Sequence, residues 1–387
     1  MTVTSWNYPT PIQFGAGAIE GLPKACKELG IKNPLLVTDP MLAKLDITTN
    51  TFEIVQKSGL SCAIFSDITP NPVGADVERG VEALRKGSHD GVIAFGGGAA
   101  LDVGKAIALM AHQTRPLWDF EDIGDYWTRV DESAMVPCVA VPTTSGTGSE
   151  VGRCSVIVHE DECRKAIIFH PKMLPPKVIA DPALTLDLPP KITAAVGMDA
   201  LSHNLEAFCA PGYHPQADGI ALEGMKLIHR SLIQAVQKGA DIAARADMMA
   251  ASLMGATSFQ KGLGAMHAMA HPLGAHLHVH HGLANAIVMP YVLDRNREAI
   301  DQRMTDLARY LGLEGTGTDA ILNWVLALRS VLHIPHTLKE IGFTEEHCRL
   351  LAPDSVKDPT AGTNPILLSV QDYQQLFHHA FHGILSV

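Results

Sequence analysis

The chain has 387 residues, a formal net charge of −11, 47% hydrophobic residues and only 18% charged residues. This length exceeds what a single hydrophobic core usually supports, so we expect a globular protein with two domains. The acidic balance argues against nucleic acid or an anionic membrane surface as a partner. No apolar run is long enough to span a bilayer, and the start, Met1–Trp6, lacks the charged-then-apolar pattern of a secretory signal.

The cysteines are scattered along the chain and form no CxxC pair. This usage is typical of reduced, mostly buried thiols, so we expect a cytoplasmic protein. The seven positions are Cys26, Cys62, Cys138, Cys154, Cys163, Cys209 and Cys348.

Strand-like and helix-like segments alternate through the first half of the chain. Short apolar runs typical of buried parallel strands occur at 35–37, 62–65, 91–95 and 137–141. The alternation predicts an α/β dinucleotide-binding fold with a doubly wound, mostly parallel sheet. In such sheets, ligands bind at the carboxyl ends of the strands.

Two of these strands are followed by loops suited to holding an anion. Gly96, Gly97 and Gly98 separate a strand from a helix, and glycines let the backbone approach a pyrophosphate at a helix N-terminus. The next strand ends in the loop 142–150, which is rich in hydroxyls and glycines. One such loop is often a mere turn, but two after successive strands favour a dinucleotide site.

A carboxylate, Asp39, stands at the end of the first of these strands. There it could accept hydrogen bonds from an adenosine ribose and would repel a 2′-phosphate, which predicts NAD rather than NADP. The alternative is an ordinary turn aspartate before Pro40.

The second half of the chain is helical in pattern, with no convincing strand. We expect a domain boundary near 183, with an α/β NAD-binding domain over 1–183 and an all-α metal-binding domain over 184–387. The expected helices lie at about 191–209, 216–238, 241–260, 262–275, 282–294, 297–311 and 317–332. A cleft between the domains is where cofactor and metal could meet.

The helical half contains an unusual density of histidine, with six in the sixteen residues 267–282. His267 and His271 stand at i, i+4 and share a helix face, while a break or kink at Pro272 and Gly274 is predicted to bring His281 back towards them. Read alone, the stretch could be a polar surface loop. His276, His278 and His280 are interpreted as cleft-lining or surface residues rather than ligands.

Upstream, Asp199 and His203 are also spaced at i, i+4 on a predicted helix. With His267 and His281 they would form a thiolate-free site of one carboxylate and three imidazoles, which suits Fe(II) or Zn(II). The alternative is an ordinary i, i+4 helix pair.

These motifs, in this order, resemble those of the iron-containing (group III) alcohol dehydrogenases. Gly96–Gly98 with Asp102 and Lys105 resembles their GGGSxxDxxK loop, and Pro142–Glu150 resembles their second loop. Gly197–Phe208 and Gly264–Gly282 resemble their two metal motifs, and the resemblance runs from about Pro11 to the C-terminal helices.

The resemblance implies NAD(P)-linked interconversion of alcohols with aldehydes or ketones, and a ferrous ion held by Asp199, His203, His267 and His281. It implies that His271 helps relay the alcohol proton. It also implies cofactor contacts at Asn71, Thr143, Thr144 and Lys165, with Asp102 in the first loop. The chain departs from the family pattern at Ala99, where the missing serine hydroxyl removes one donor to the pyrophosphate and is expected to lower cofactor affinity.

We therefore expect a metal-dependent, NAD-linked alcohol dehydrogenase that acts on a small alcohol or aldehyde and assembles as a homodimer or higher homo-oligomer. The sequence leaves two other enzymatic functions open: a hydroxyacid–oxoacid transhydrogenase, and a lyase resembling dehydroquinate synthase. The lyase would need several Lys or Arg for an anionic substrate, and no basic cluster flanks the ligands. A catalytically silent assembly or metal-binding protein would not need all four motifs.

Overall fold

The computed structural model describes Tyr8, residues 10–162 and residues 164–386. Two features of the sequence analysis, the Met1–Trp6 start and Cys163, lie outside these residues. The described chain divides into two compact units, one over Tyr8–Asp187 and one from Leu188 onward.

The first unit alternates strands and helices around one parallel sheet. Its strands are β1 Ile12–Phe14, β2 Pro34–Val37, β3 Ala63–Phe65, β4 Gly91–Gly96, β5 Cys138–Pro142, β6 Cys154–His159, β7 Arg164–Phe169 and β8 Lys177–Ala180. Its helices are α1 Leu22–Glu28, α2 Asp46–Lys57, α3 Gly74–Lys86 and α4 Gly98–Met110. The six-stranded sheet has the order β1-β8-β5-β4-β2-β3 with parallel pairing throughout, while β6 and β7 form a separate antiparallel hairpin.

The α/β fold with a mostly parallel sheet is thus confirmed. The apolar runs of the sequence became β2, β3, β4 and β5, and every residue of β2, β4 and β5 is buried. Strands β1 and β8 and the β6–β7 hairpin were not predicted, because their apolar runs are short or mixed with polar residues, and β1, β6 and β7 are only partly buried.

The order of the sheet defines where a ligand would sit. From β2 the chain moves outward to β3, and it then returns to β4 on the other side of β2 before continuing to β5. The carboxyl ends of β2 and β4 therefore flank the point at which the strand order reverses, which is the usual binding crevice of such sheets.

The second unit is built from helices, and residues 188–386 contain no strand. The helices are α5 Pro190–Cys209, α6 Pro215–Gln237, α7 Ile242–Ser258, α8 Ala265–Leu277, α9 His281–Leu311, α10 Gly317–Val331, α11 His347–Lys357 and α12 Val370–His382. They surround a large apolar core to which all eight contribute. The predicted all-α second half is confirmed.

Two helix predictions were wrong in detail. The segments expected as separate helices at 282–294 and 297–311 form the single helix α9, because buried residues continue through and beyond the polar stretch, which also carries an Asp294–Arg297 ion pair of 2.9 Å one turn apart. Of the break or kink expected at Pro272 and Gly274, the break does not occur, and the helix expected over 262–275 is confirmed with shifted ends. Helix α8 continues through Pro272 to Leu277, and the chain turns at His278, which adopts a left-handed conformation (φ 53°).

The six cysteines in the described part of the chain form no disulfide, and four of them are buried. Burial raises the pKa of the Cys26 and Cys138 thiols to about 12, so these groups stay protonated and unreactive at neutral pH. Among the described helices, none is long and apolar enough to cross a membrane.

Candidate functional site

In the second unit, four side chains converge from three helices. Asp199 and His203 lie one turn apart on α5, His267 lies in the first turn of α8, and His281 is the first residue of α9. Each offers one ligand atom, and these atoms all lie within 4.8 Å of one another. Asp199, His203 and His267 are buried, while His281 is partly exposed. The structure therefore brings together all four residues that the sequence suggested as metal ligands.

Close backbone packing explains how His281 reaches the other three. A Cβ at Gly282 would collide with the carbonyl of Ala195, so the first turn of α9 lies directly against α5. This contact places Nε2 of His281 3.6 Å from Oδ1 of Asp199. Only glycine allows this approach of the two helices.

A buried carboxylate that the sequence analysis missed, Glu206, orients one of the imidazoles. Its Oε2 lies 2.6 Å from Nδ1 of His267, and its Oε1 accepts the Met266 backbone N–H at 2.7 Å. Burial lowers the pKa of His267, but the charge and hydrogen bond of Glu206, together with the charges of Asp199 and Asp358, outweigh burial, so the net shift of the pKa is upward. A proton on Nδ1 leaves Nε2 as the free lone pair, the arrangement typical of a metal-ligating histidine.

A second missed residue, Asn285, lies one turn after His281 at the centre of the cluster. Its fully buried Nδ2 donates to Oδ1 of Asp199 at 2.9 Å and lies 3.3 Å from Nε2 of His267 and 3.2 Å from Nε2 of His281. One amide hydrogen donates to Asp199, and the other can donate to an Nε2 atom only if that nitrogen is unprotonated, as it is in the tautomer that Glu206 favours for His267.

Beside the cluster, His271 is held by an acidic partner that was also missed. Nδ1 of His271 lies 2.6 Å from Oδ2 of Asp358, and the His271 ring stacks on that of His281 with a centroid distance of 5.3 Å. Burial would raise the pKa of Asp358, but His271 and hydrogen bonds from Thr360 outweigh it and lower the pKa. His271 does not belong to the group of four ligand residues. The three additional histidines, His276, His278 and His280, are exposed, as expected for surface residues.

In the first unit, the two glycine-containing loops touch each other. The Thr143 N–H donates to the Gly96 carbonyl at 3.0 Å. Gly96 has a φ of 148°, and a Cβ at Gly98 would lie 2.6 Å from Oγ1 of Thr147. Both glycines are thus required, the first by its conformation and the second by close approach. Helix α4 begins at Gly98 without a side-chain cap, so its first N–H groups are available to an anion.

Asp102 and Lys105 lie beneath these loops and contact protein. Asp102 accepts hydrogen bonds from Oγ of Ser149 at 2.5 Å and from the Val156 N–H at 3.1 Å. Lys105 donates to the backbone carbonyls of Ser149, at 2.9 Å, and of Cys154. The pair braces the second loop against β6, so the structure places Asp102 as a support of the loop.

The other predicted cofactor residues lie around the same edge of the sheet. Asp39 follows β2, and its Oδ1 accepts the N–H groups of Met41 and Leu42, both at 2.9 Å, so it stabilises a turn. Gly97 and Thr144 follow the neighbouring strands β4 and β5, and a Cβ at Gly97 would lie 3.3 Å from the Thr144 side chain.

Pro72, which follows Asn71, and Lys165 both pair with the same residue of the hairpin. Val158 donates its N–H to the carbonyl of Pro72 at 2.8 Å and pairs with Lys165 across the β6–β7 ladder. The loop that carries Asn71 therefore lies beside the hairpin.

Comparison with known proteins assigns the family. Residues 9–182 match the family described as iron-containing alcohol dehydrogenase, and residues 193–381 match the C-terminal part of the Fe-containing alcohol dehydrogenase family. The chain belongs to the iron-containing alcohol dehydrogenase family. It is similar to 4-hydroxybutyrate dehydrogenase of Cupriavidus necator, with 37% identity over 383 residues, 96% of this chain and 98% of the relative.

Solved structures of the family agree with this assignment. The crystal structure of a 1,3-propanediol oxidoreductase has a TM-score of 0.92 and 33% identity, covering 98% of this chain and 100% of that chain. Sulfoacetaldehyde reductase from Bifidobacterium kashiwanohense, solved in complex with NAD+, has a TM-score of 0.89 and 29% identity, covering 98% and 99%. The family resemblance seen in the sequence is confirmed, and the chain is an oxidoreductase of the alcohol dehydrogenase type.

Proposed function

We propose that this protein is an NAD(H)-linked alcohol dehydrogenase, or aldehyde reductase, that uses an Fe(II) ion held by Asp199, His203, His267 and His281. The observation that carries the proposal is the convergence of these four ligand atoms within 4.8 Å. In this proposal residues 1–183 bind the dinucleotide and residues 184–387 hold the metal.

The residues present fit a divalent transition metal. Three imidazoles and one carboxylate form a nitrogen–oxygen donor set suited to Fe(II) and also to Zn(II). Burial of three of the four ligands shields the site from water, and Glu206 holds His267 in the tautomer that can ligate. A buried carboxylate beside three clustered imidazoles is also more favourable with a cation than without one.

The first unit supports a dinucleotide as the second partner. The N-terminus of α4 and the adjoining loops offer backbone N–H groups and hydroxyls to a pyrophosphate, and the sulfoacetaldehyde reductase structure holds NAD+. In this proposal Gly96, Gly97, Gly98, Thr143 and Thr144 contact the cofactor directly. Asp102 affects cofactor binding indirectly, because it supports the second loop.

Three further positions complete the proposed dinucleotide site. Asn71 and Lys165 contribute from the loop before α3 and from the hairpin. Asp39 selects NAD over NADP, because its carboxylate, oriented by the turn at 39–42, would face an added 2′-phosphate.

When bound, the metal supplies Lewis-acid polarisation of the substrate oxygen, and nicotinamide C4 gives or takes the hydride. The chain's own part is to bind, orient and move a proton. His271 is suited to the proton step, since Asp358 binds its Nδ1 and leaves Nε2 to exchange a proton with the alcohol oxygen. Asp358 is itself fixed by Thr360, whose N–H and hydroxyl both donate to Oδ1.

The proposed substrate is a small alcohol or aldehyde, in keeping with the names of two of the relatives, 4-hydroxybutyrate dehydrogenase and 1,3-propanediol oxidoreductase. A cytoplasmic location and a homodimer or higher homo-oligomer are proposed with it. The transhydrogenase alternative uses the same residues. An activity assay, rather than the geometry of the site, distinguishes it from the dehydrogenase.

The decisive experiment follows NADH absorbance with a panel of short aldehydes and alcohols, using metal-loaded and metal-stripped protein. We expect about one divalent ion per chain at the four-ligand site, and loss of bound metal and activity together in His267→Ala and His281→Ala. His276→Ala, which removes an exposed imidazole from α8, is the matched control and should keep both. Full activity after metal removal would refute the proposal.

Two further readouts refine the result. Loss of activity in air points to iron, and stability in air points to zinc. Hydride exchange between two substrates without net NADH turnover would instead identify a transhydrogenase.

A further inference from the structure

A second group of metal-ligating side chains lies away from the proposed iron ligands. His378 and His382 stand at i, i+4 in the last two turns of α12, and Glu345 precedes α11. One ligand atom from each lies within 4.8 Å of the others. Nε2 of His382 is 3.7 Å from Oε1 of Glu345, and the two imidazole rings have a centroid distance of 4.4 Å.

Buried aromatic packing fixes the backbone on both sides of this group. Phe343, two residues before Glu345, is only 2% exposed and stacks on Phe377 with a centroid distance of 5.6 Å. It also packs against Phe381, at 6.2 Å. Phe377 and Phe381 directly precede the two histidines in the sequence, so one apolar cluster fixes the backbone that carries all three polar side chains.

The side chains themselves remain free to adjust. The side chains of His382 and Glu345 are 41% and 70% exposed. Zinc ligands at bond lengths of about 2.0–2.2 Å lie roughly 3.4 Å apart in a tetrahedron, so small rotamer changes would close the present spacing around an ion. Because the packed aromatic residues already hold the backbone, moving the three ligands around an ion costs only side-chain conformational entropy.

The local electrostatics favour a cation at this place. Helix α12 ends after His382 at Gly383, which has a φ of 75°. The last carbonyls of a helix carry partial negative charge, and Glu345 adds a full one. Two imidazoles and one carboxylate, with remaining positions open to water, match the ligand set and coordination preference of Zn(II).

We propose that Glu345, His378 and His382 form a second, surface-exposed divalent-metal site that binds Zn(II). It is independent of the Asp199 cluster and of the proposed dehydrogenase activity. Bound zinc would tie the segment before α11 to the C-terminal turn of α12. It would therefore stabilise the fold by mass action, since a ligand that binds only the folded state raises the melting temperature.

The test titrates apo protein with Zn(II) alone, in competition with a chromophoric chelator, and records melting temperatures. We expect two zinc ions per chain in the wild type and one each in His382→Ala and in the double variant His267→Ala/His281→Ala. In the double variant, zinc should still raise the melting temperature, and adding His382→Ala should abolish that rise. His382→Ala should lose the proposed surface site and keep the Asp199 cluster, whereas the double variant should do the reverse, so failure of one site is distinguishable from failure of the other.

Two single substitutions sharpen the assignment. Glu345→Gln should weaken the second site by at least about 10-fold, since even loss of an outer-shell partner typically costs 10–100-fold in affinity. His379→Ala, which removes the imidazole next to His378 on the same helix, should leave the affinity unchanged. Unaltered zinc binding in His382→Ala or in Glu345→Gln, or equal loss in His379→Ala, would overturn the three-residue site.

Discussion

The carboxylate of Glu206 offers a sharp test of how the proposed metal centre is built. It accepts two hydrogen bonds, from the Met266 N–H at 2.7 Å and from His267 Nδ1 at 2.6 Å. Glu206→Gln keeps the shape but replaces one acceptor oxygen with an amide donor. If the amide oxygen still serves Met266, the amide N–H faces Nδ1 of His267, and the ring must then carry its proton on Nε2.

This change of tautomer determines how much metal affinity the Glu206→Gln variant should lose. To ligate a metal through Nε2, His267 must return its proton to Nδ1, where it would meet the amide N–H and leave a buried donor unsatisfied. Such a donor costs roughly 1–3 kcal/mol, which corresponds to about 5- to 150-fold in Kd. Measured losses of about 10–100-fold for outer-shell partners of metal ligands fall in the same range.

The assay measures Fe(II) or Co(II) affinity of apo protein by chelator competition, with the Co(II) visible spectrum as a second readout. Glu206→Gln should bind metal about 10- to 100-fold more weakly, and excess metal should largely restore kcat, because Glu206 positions a ligand and does not touch substrate. Glu298→Gln, the same chemical change at an exposed site on α9, should behave as wild type. A Glu206→Gln affinity within twofold of wild type would refute the reasoning.

Three further outcomes are expected. Asp39→Gly should relax or reverse the preference for NAD(H), measured as the ratio of kcat/KM with NADH and NADPH; an unchanged ratio means that Asp39 serves only its turn. His271→Ala should keep its metal and bind NADH nearly normally but lose roughly 10²-fold or more in kcat and flatten the pH–rate profile, whereas loss of metal would make His271 a ligand. Burial raises the pKa of Glu150 from 4.5 to about 7, so the folded state holds a proton that the unfolded state releases. Stability should therefore fall by up to about 3 kcal/mol as pH rises from 4.5 to 7. Glu150→Gln should lack this loss in urea unfolding at pH 5 and 8, and a parallel pH dependence in both proteins would contradict the assignment.

The parts of this protein that could be predicted from sequence share one property: their signal is local. The strand runs 35–37 and 91–95 are apolar on both faces, and the glycines at 96–98 follow directly in the chain. The pairs Asp199/His203 and His267/His271 depend only on the helical repeat, which requires no knowledge of the tertiary structure. The family motifs are likewise continuous stretches of chain.

The predicted helix ends and breaks were wrong where tertiary packing outweighed the local helix propensity of a residue. Pro272 was expected to break or kink the chain within the helix predicted over 262–275, but α8 continues through it to Leu277, and nine of the thirteen residues of this helix are buried. The polar segment at 294–297 looked like a connection, yet the Asp294–Arg297 ion pair lies on a continuous α9. In both cases tertiary burial decided what local propensity could not.

The supporting residues of the candidate site were missed for a different reason. Asp358 reaches His271 across 87 positions of sequence, and no short-range pattern can indicate such a contact. Glu206 did leave a signal: with Asp199 and His203 it forms a polar stripe at i, i+4, i+7 on a helix whose other residues between 194 and 209 are mostly apolar. A buried carboxylate on such a stripe must find a donor, because leaving it unpaired would cost more than folding could tolerate. The sequence could therefore have indicated that Glu206 had a buried partner, while only the fold could identify that partner as the imidazole of His267.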